Sequence, residues 1–497
     1  MKLKQSVSIL LILAMLCPLI SSCASEDQTK TPANTAETTA AAVDSGEAVE
    51  TELRYLDTLE TIDFGGAKYV ILCRDEKLYE IWAESEIGET INDAVFRRNK
   101  VVEEKYKVII SANEQPGGWN DQTTFMGLIK NSVNAQDGAY DLVAGYMAYS
   151  CKLAAEGMFY NLYDVNNLDL TNPWWTQGFI ENNTIKDCTF MALGDLSLTM
   201  WEGIYAIYFN KQLAEDYGCG DLYQLVKDKK WTLSAFEELT KKVSGDIDGD
   251  SKFTKDDLYG FVTNNHTLRA MVTTSDLPLT ERNDEGTYDL VYYNENLISL
   301  YDQIYNMLYS GDNCFVSKPT NDWDYTEMMK MFTEDRALFI SGTLDNTTVL
   351  RQMDTDFGIL PLPMSDVGQE DYISHSYDGL SIFGIPASVK NPDMSGAILE
   401  ALCAESAQTV VPEFYETVLK SKVARDNDSE LMLDLLRQNL RFDFGFVHSQ
   451  SLDSLFSMFG DQLRAKNSKY ASTYEGKRKS IEKKFAELLE AYTKITD

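Results

Sequence analysis

Apolar strands and amphipathic helices alternate in the early part of this chain. Residues 67–73 (AKYVILC) are typical of a buried strand, and residues 88–107 repeat apolar side chains at the spacing of one helix face. A short strand at 108–110, a helix at 123–132 and a strand at 140–145 (YDLVAG) follow. Strands that alternate with helices predict a parallel sheet with right-handed crossovers, so we expect an α/β fold.

The end of the third strand is the first place where a ligand is expected. In open parallel sheets, ligands bind beyond the carboxyl ends of the strands. Tyr146 and Tyr149 follow directly after Gly145. Their aromatic rings are therefore predicted to line a binding cleft.

The rest of the chain is richer in helix. After Trp231, a Thr or Ser cap with Glu three residues further on predicts a helix start. Strand character returns at 336–342, 357–361 and 379–385, and residues 479–495 form a strongly amphipathic helix pattern. We expect C-terminal helices that follow the strands.

The N-terminus has the layout of a secretory signal peptide. Lys2 and Lys4 precede a short apolar run that closes on ISSC, ending at Cys23. Small residues before a cysteine resemble the bacterial lipobox, which predicts lipidation of Cys23; the alternative is ordinary cleavage near Ala24. Residues 1–22 are thus a predicted lipoprotein signal, and residues 23–52, rich in Thr, Ala, Ser and Glu, a disordered tether. This places the protein at the extracellular face of a membrane, attached only through its lipid.

The charge balance excludes one class of partner. The chain has 44 basic and 78 acidic residues and a formal net charge of -34. Nucleic-acid sites need clustered Lys and Arg, which do not occur here. We therefore expect an acidic, soluble surface and no nucleic-acid partner.

Short strings in one order carry a family resemblance. They are YDLV at 140–143, GIYAIYFNK at 203–211, WT at 231–232, RALFISG at 336–342, DFGILPLP at 356–363 and GLSIFGIP at 379–386. Together, behind a lipobox, they resemble bacterial extracellular solute-binding family 1, which includes the maltose-binding proteins. The similarity covers most of the body from about residue 67 onward.

The resemblance implies a two-lobed, periplasmic-binding-protein-like fold of type II with discontinuous lobes and a hinge. Lobe 1 would comprise residues 53–195 plus 355–407, and lobe 2 residues 196–354 plus 408–497. Hinge crossings are expected near 194–201, near Asp354 and near Ala407. A monomer of this kind captures a solute between its lobes and delivers it to an ABC permease, which works with a separate ATPase.

An oligosaccharide is the predicted solute, because sugar rings need flat aromatic faces and paired polar groups. Trp174 and Trp175 follow Pro173 in an apparent loop, where two exposed rings suggest a contact surface. Trp201 falls on the inferred hinge. The predicted ligand-binding residues are Trp119, Tyr146, Tyr149, Trp174, Trp175, Trp201, Glu202, Tyr205, Trp323, Asp345, Tyr377 and Asp378.

Residues 246–257 (DIDGDSKFTKDD) are similar to an EF-hand loop. Oxygen ligands occur at the required spacing, and a hard cation would neutralise the carboxylates. Ser251 stands at the sixth position of the loop, where glycine is usual, and Asp257 at the twelfth, where glutamate is usual. Each of these two departures should weaken the affinity for the ion. The predicted ligands of a structural Ca²⁺ are Asp246, Asp248, Asp250, Lys252 through its carbonyl, Thr254 and Asp257.

We expect no enzyme activity. The sequence contains no HExxH, GxSxG, P-loop or GxGxxG motif, and its three histidines lie far apart. Two alternatives stay open. One is a secreted carbohydrate-active hydrolase, because an acidic pair can serve glycoside hydrolysis; the other is a binding protein for a non-sugar solute such as a peptide.

Overall fold

The computed structural model describes residues 53–318, 324–366, 368–416 and 427–496. The predicted signal peptide, the tether with Cys23 and the candidate ligand residue Trp323 lie outside the described residues. Within the described ranges, no helix is both long enough and apolar enough to cross a membrane.

The strands form two main sheets and one hairpin. They are β1 (Ala67–Arg74), β2 (Val108–Gln115), β3 (Leu142–Tyr146), β4 (Tyr205–Asn210), β5 (Ser244–Gly245), β6 (Leu258–Thr263), β7 (Thr280–Arg282), β8 (Tyr288–Leu290), β9 (Cys314–Val316), β10 (Ala337–Thr343), β11 (Phe357–Leu360) and β12 (Ser381–Gly384).

The helices surround these sheets. They are α1 (Tyr55–Thr58), α2 (Leu78–Ile81), α3 (Thr90–Tyr106), α4 (Gln122–Ala135), α5 (Met147–Ala155), α6 (Gln177–Asn183), α7 (Thr199–Glu202), α8 (Lys211–Asp216), α9 (Leu222–Lys227), α10 (Leu233–Thr240), α11 (Asn265–Thr274), α12 (Glu295–Tyr309), α13 (Thr326–Thr333), α14 (Thr347–Leu350), α15 (Pro392–Gln408), α16 (Val410–Glu413), α17 (Asn427–Gln438), α18 (Phe444–Val447), α19 (Leu455–Arg464) and α20 (Tyr470–Thr496).

The first sheet has the order β12-β3-β1-β2. Strand β1 pairs in parallel with β2 and β3, whereas β12 runs antiparallel along β3. Helices α3 and α15 pack together on this lobe. The predicted parallel sheet is thus confirmed for the three early strands, and the carboxyl ends of β1 and β3 lie side by side at one edge.

The second sheet has the order β11-β4-β10-β6-β5, with β9 also paired to β6. Strand β4 runs antiparallel to β10 and β11, while β10, β6 and β9 are parallel. Helix α10 begins at Leu233, where the Thr232 hydroxyl accepts a hydrogen bond from the Ala235 amide at 3.3 Å. This confirms the helix start predicted after Trp231.

Two crossing segments run side by side between the sheets. Residues 195–205 lead through α7 into β4, and residues 374–381 lead back to β12. The amide of Tyr205 donates to the carbonyl of His375, and the amide of Tyr377 donates to the carbonyl of Gly203, both at 3.0 Å. These backbone bonds join the two segments into a narrow antiparallel ribbon.

The second crossing lies later in the chain than the prediction near Asp354. Residues 357–360 form β11, which pairs with β4 in the second sheet, so a first lobe resuming at residue 355 is wrong. The chain returns to the first sheet only at residues 374–381. A third passage connects α16, which packs on α3, to α17, which packs on β11, and it includes residues outside the described ranges.

The C-terminal helices contact both lobes. Helix α19 packs on α11 of the second lobe, while α18, α20 and the 3₁₀ turn Ser449–Leu452 contact α5 of the first lobe. The prediction that residues 408–497 belong to the second lobe alone is therefore wrong, because this region spans the two lobes.

Candidate ligand-binding cleft

Arg74 occupies the carboxyl end of β1. Its guanidinium carbon lies 5.2 Å from the centroid of the Tyr146 ring, and its Nη2 donates to the Ser381 hydroxyl at 2.9 Å. An ion pair with Glu76 at 3.3 Å neutralises it. Although only 2% of Arg74 is exposed, its Nε has no hydrogen-bond partner among the described residues. The arrangement fixes a cation against an aromatic face, which is favourable.

Aromatic rings continue from this point across the first lobe. The Tyr146 ring stacks on Tyr149 at a centroid distance of 5.4 Å and lies 5.9 Å from the Trp119 ring. Tyr149 is buried and donates its hydroxyl to the Gly117 carbonyl at 2.8 Å. Trp119 is 44% exposed. Tyr149 thus supports the other two rings, and Trp119 offers a free aromatic face.

The second crossing segment brings Tyr377 and Asp378 to these rings. The Tyr146 hydroxyl donates to Asp378 Oδ1 at 3.0 Å. The Tyr377 ring lies directly over Gly203, where a Cβ atom would overlap it. Position 203 of the first crossing segment must therefore be glycine, because any larger residue would occupy the space of the Tyr377 ring on the second crossing segment.

Glu202, at the end of α7, meets the first lobe through two contacts. Tyr79 donates its hydroxyl to Glu202 Oε2, and the Lys77 ammonium lies 3.8 Å from the same oxygen. Burial raises the pKa of the Glu202 carboxyl, and Lys77 opposes this shift. The contacts link the first lobe to the hinge directly.

Asp345 supplies a carboxylate from the second lobe. It accepts a hydrogen bond from the Thr343 hydroxyl at 2.6 Å. Its side chain is exposed to solvent, yet desolvation by the surrounding protein raises its pKa, with Lys77 acting against the shift. Asp345 therefore presents an exposed carboxylate close enough to Lys77 of the first lobe for the two charges to interact.

Tyr205 and Tyr325 form the wall of the second lobe near the hinge. Both are buried, and the Tyr205 ring lies parallel to the His375 ring at 6.1 Å. The charge of Arg269 acts on both tyrosines and on Asp378. Arg269 itself forms an ion pair with Asp461 at 2.6 Å.

The cleft therefore combines aromatic faces with hydrogen-bonding carboxyl groups. Burial raises the pKa values of Glu202, Asp345 and Asp378. Carboxyl groups in such surroundings accept hydrogen bonds from hydroxyl groups, and exposed rings cover apolar faces. This chemistry suits a polyhydroxylated ligand between the lobes.

Trp174 and Trp175 are not part of this cleft surface. Each is only 3% exposed, and their indole nitrogens donate to the Glu400 carboxylate of α15 at 3.0 and 3.1 Å. The prediction of two exposed rings is wrong, because a buried acid more than two hundred residues away satisfies both indoles.

Trp201 lies on the first crossing, as predicted, but it is nearly buried. The guanidinium of Arg437 on α17 lies 4.7 Å from its ring centroid. One face of the ring is thus covered and closed to a ligand. Tyr205 is likewise buried, so it supports the second-lobe side of the cleft and does not offer its ring to a ligand.

Sequence reasoning missed Arg74, Lys77 and Tyr79. They follow or end β1, at the same sheet edge as Tyr146. The rule that selected Tyr146, that ligands bind at carboxyl ends of parallel strands, applies equally to β1 and would have found them.

The loop 246–257 folds around its acidic side chains. The carboxylate oxygens of Asp246, Asp248 and Asp250 lie within 4.8 Å of one another on an exposed surface. Asp257 is buried and accepts the amides of Ile247 at 2.9 Å and Thr254 at 2.8 Å. The spacing of the three exposed carboxylates fits a hard cation.

His375 gives a prediction for acid stability. Burial lowers its pKa from 6.5 to about 3, and neither ring nitrogen has a hydrogen-bond partner among the described residues. The unfolded chain therefore binds a proton that the folded chain excludes. This contribution to stability is complete above pH 6.5 and falls with acidification, by roughly 2 kcal/mol at pH 5.

Replacing His375→Phe should reduce this acid-dependent loss. Urea unfolding at several pH values between 7 and 4 measures it in both proteins. Buried carboxyl groups with raised pKa values act in the opposite direction but are common to both, so the difference isolates His375. Coincident pH profiles would contradict the prediction.

Solved structures of sugar-binding proteins share this fold. The cyclo/maltodextrin-binding protein complexed with maltotetraose matches 86% of this chain and 97% of its own, at 11% identity and a TM-score of 0.54. The GacH receptor of Streptomyces glaucescens, solved unliganded and with acarbose, matches 84% of this chain and 99% of its own, at 14% identity and a TM-score of 0.52. An ABC substrate-binding protein from Listeria monocytogenes in complex with cycloalternan matches 86% of this chain and 99% of its own, at 11% identity and a TM-score of 0.50.

No protein-family model matches the sequence, and no curated protein matches it at a significant level. The structural likeness nevertheless confirms the predicted fold: the chain has the two-lobed α/β architecture of maltose- and maltodextrin-binding ABC solute-binding proteins.

Proposed function

We propose that this protein is the substrate-binding lipoprotein of an ABC importer and captures an extracellular oligosaccharide between its lobes. The observation that carries the proposal is the meeting of Trp119, Tyr146 and Asp378 where two hydrogen-bonded crossing segments join the sheets. Rings and carboxyl groups from both lobes and the hinge converge there. Structural relatives with bound maltotetraose, acarbose and cycloalternan support a sugar as the solute.

Transport requires partners in this proposal. A ligand that binds the closed form more tightly shifts the hinge equilibrium, and the closed form is the one that a permease recognises. A separate ATPase drives the transport. Lipid on Cys23 keeps the monomer at the extracellular face of the membrane, and the tether over residues 24–52 gives the body its reach.

Thermal unfolding tests the proposal. The mature chain, with Cys23→Ser in place of the lipidated residue, is screened against linear and cyclic oligosaccharides and against dipeptides. A ligand that binds only the folded form stabilises it by about 2.7 kcal/mol at a hundredfold excess over its Kd. We expect a shift with one sugar class and the sugar recovered intact. Hydrolysis of the sugar supports the hydrolase alternative, and a shift with peptides alone supports a peptide-binding protein.

We also propose that the loop 246–257 binds Ca²⁺ in a structural role. Three exposed carboxylates within 4.8 Å fit the ion, and the amide hydrogen bonds of Asp257 hold the base of the loop without it. A pairing loop that would make a calcium sensor is not evident in the described residues. In this structural role the ion stabilises the connection from β5 to β6.

Removal of calcium should lower the melting temperature. Calcium at a hundredfold excess over its Kd stabilises the folded form by about 2.7 kcal/mol, and a chelator abolishes this gain. Asp250→Asn keeps an acceptor for the Lys252 amide but removes a charge, so it should weaken calcium binding. Asp284→Asn, in the exposed turn of the β7–β8 hairpin, is the matched control. Equal melting temperatures with calcium and with chelator would refute the site.

A further inference from the structure

A buried acid of the first lobe contacts the first crossing segment. Glu80, in α2, is 0% exposed. Its Oε2 accepts the amide of Thr199 at 2.9 Å, and its Oε1 accepts the Thr199 hydroxyl at 3.4 Å. A buried carboxylate requires hydrogen-bond donors that replace its lost hydration. Glu80 and Thr199 therefore hold each other in place at the start of α7.

The same hydroxyl group reaches the second crossing segment. Thr199 Oγ1 accepts the amide of Ser381 at 2.9 Å. Both residues are buried, so water does not compete for this hydrogen bond. Glu80 thus fixes the first segment directly and the second segment through Thr199.

The first lobe in turn fixes Glu80. The guanidinium of Arg98, on α3, donates to the backbone carbonyls of Glu80 at 3.0 Å and Ile81 at 2.7 Å. It also donates to the Ser406 hydroxyl of α15 at 3.2 Å. Arg98 is 1% exposed, and its positive charge interacts with the Glu80 carboxylate. Helices α2, α3 and α15 therefore form one buried support for the crossing segments.

Each crossing segment carries a cleft carboxyl group close to its contact with this support. Glu202 lies three residues after Thr199, and Asp378 lies three residues before Ser381. A tyrosine of the first lobe also donates its hydroxyl to each of the two carboxyl groups. Both carboxyl groups are therefore attached to the first lobe.

The second lobe begins directly after these residues. The amide of Leu344, which follows β10, donates to the carbonyl of Ile204 at 3.0 Å. Gly203 therefore separates a glutamate attached to the first lobe from an isoleucine attached to the second. The other segment changes lobes between His375, whose carbonyl accepts an amide of β4, and Asp378. Bending at these two places moves the second lobe and leaves the cleft carboxyl groups on the first.

We infer that Glu80 is a positioning residue for ligand binding. By fixing both crossing segments to the first lobe, it keeps Glu202 and Asp378 in place as a preformed half of the site, over which the second lobe closes. This rests on the proposed function and deepens it. Preformed groups bind a ligand without the free-energy cost of ordering them at that moment. Glu80 itself does not touch the ligand, because it is fully buried.

Affinity measurements test the role of Glu80. The probes are maltotetraose, cellotetraose and xylotetraose, measured by calorimetry with the mature protein. For the tetraose that binds, Glu80→Ala should weaken binding at least about tenfold, or 1.4 kcal/mol. Thr199→Val keeps the amide that Glu80 accepts but frees the Ser381 amide, so it should weaken binding at least about threefold. This second variant decides the question if Glu80→Ala does not fold.

A conservative variant separates positioning from stability. The side chain in Glu80→Gln can accept the Thr199 amide and donate to the Thr199 hydroxyl oxygen, so it should recover most of the affinity. It removes a negative charge beside Arg98, so urea unfolding should show a loss of stability. Ile129→Ala, which truncates a buried side chain of α4 in the same lobe, is the matched control. It should lose stability and keep the affinity of the wild type.

Hydrogen exchange tests the contacts without any ligand. In the free protein, Glu80→Ala should speed exchange at the amides of both Thr199 and Ser381. Thr199→Val should speed exchange at Ser381. Ile129→Ala controls for the general increase in exchange that follows from lower stability.

The outcomes separate this inference from the proposed function. Wild-type affinity in Glu80→Ala, an equal loss of affinity in Ile129→Ala, or unchanged exchange at Ser381 in Glu80→Ala overturns the positioning role. If a tetraose still binds the wild type in these cases, the sugar-binding function stands. If no saccharide binds, that function fails, and the exchange rates alone decide whether Glu80 holds both segments. Weaker binding in Glu80→Ala that Glu80→Gln restores supports the inference.

Discussion

Gly203→Ala should reduce ligand affinity at least about a hundredfold, or 2.7 kcal/mol. The backbone of Gly203 has φ of -82°, which alanine adopts without strain. The added Cβ would instead overlap the Tyr377 ring and approach the Ser376 hydroxyl. Tyr377 must then leave its position, and it carries the neighbouring Asp378 with it. Calorimetry with the sugar identified by thermal screening measures the loss.

Two further variants make this result specific. Gly476→Ala, in α20, adds a Cβ that meets no atom within 4 Å, so affinity should be unchanged and stability higher by about 0.5–1 kcal/mol. The double variant Gly203→Ala with Tyr377→Ala removes the overlap with the ring, leaves only the approach to the Ser376 hydroxyl, and should bind about as Tyr377→Ala does alone. Wild-type affinity in Gly203→Ala would show that the Tyr377 ring plays no part in binding.

Glu400→Ala should destabilise the protein by at least about 3 kcal/mol, because each buried donor that is left without an acceptor costs about 1–3 kcal/mol. Glu400 is 2% exposed and accepts from Trp174 and Trp175. The side-chain amide of Asn172 donates to it at 2.7 Å, and the amide of Asp169 at 3.2 Å. Burial raises its pKa to about 7, although these donors favour the carboxylate. Alanine would leave four donors without an acceptor.

Urea unfolding followed by tryptophan fluorescence measures this effect, since two indoles contact the carboxylate. Glu400→Gln should also be destabilising, because its amide nitrogen would face N–H donors. Glu490→Ala, at an exposed position of α20, is the control and should change stability by less than about 0.5 kcal/mol. A loss below about 1 kcal/mol in Glu400→Ala would contradict the role of this acid as an anchor.

The sequence predicts structure most reliably where local patterns of residues determine it. Alternating strands and helices identify the parallel sheet because hydrophobic periodicity reports burial along each element. Tyr146 was found because the end of a strand is visible in the sequence. Asp378 and Glu202 were selected through the resemblance, and the structure places both beside the cleft tyrosines.

Long-range partners account for the errors. Trp174 and Trp175 looked exposed because their acceptor, Glu400, lies in a different helix far along the chain. The crossing expected near Asp354 was displaced because β11 pairs with β4, and strand pairing across such a distance leaves no local signal. The contact between Gln450 and Gln122 could not be found for the same reason, since it spans 328 positions.

The placement of β12 sets a requirement on biosynthesis. It covers the edge of β3, but it is made only after the whole second sheet. Until then β3 exposes unpaired backbone groups that can pair with another chain. A nascent or prematurely ended chain that stops at β11 would carry this open edge and would tend to aggregate. Completion of the first lobe is thus a late event in the synthesis of the protein.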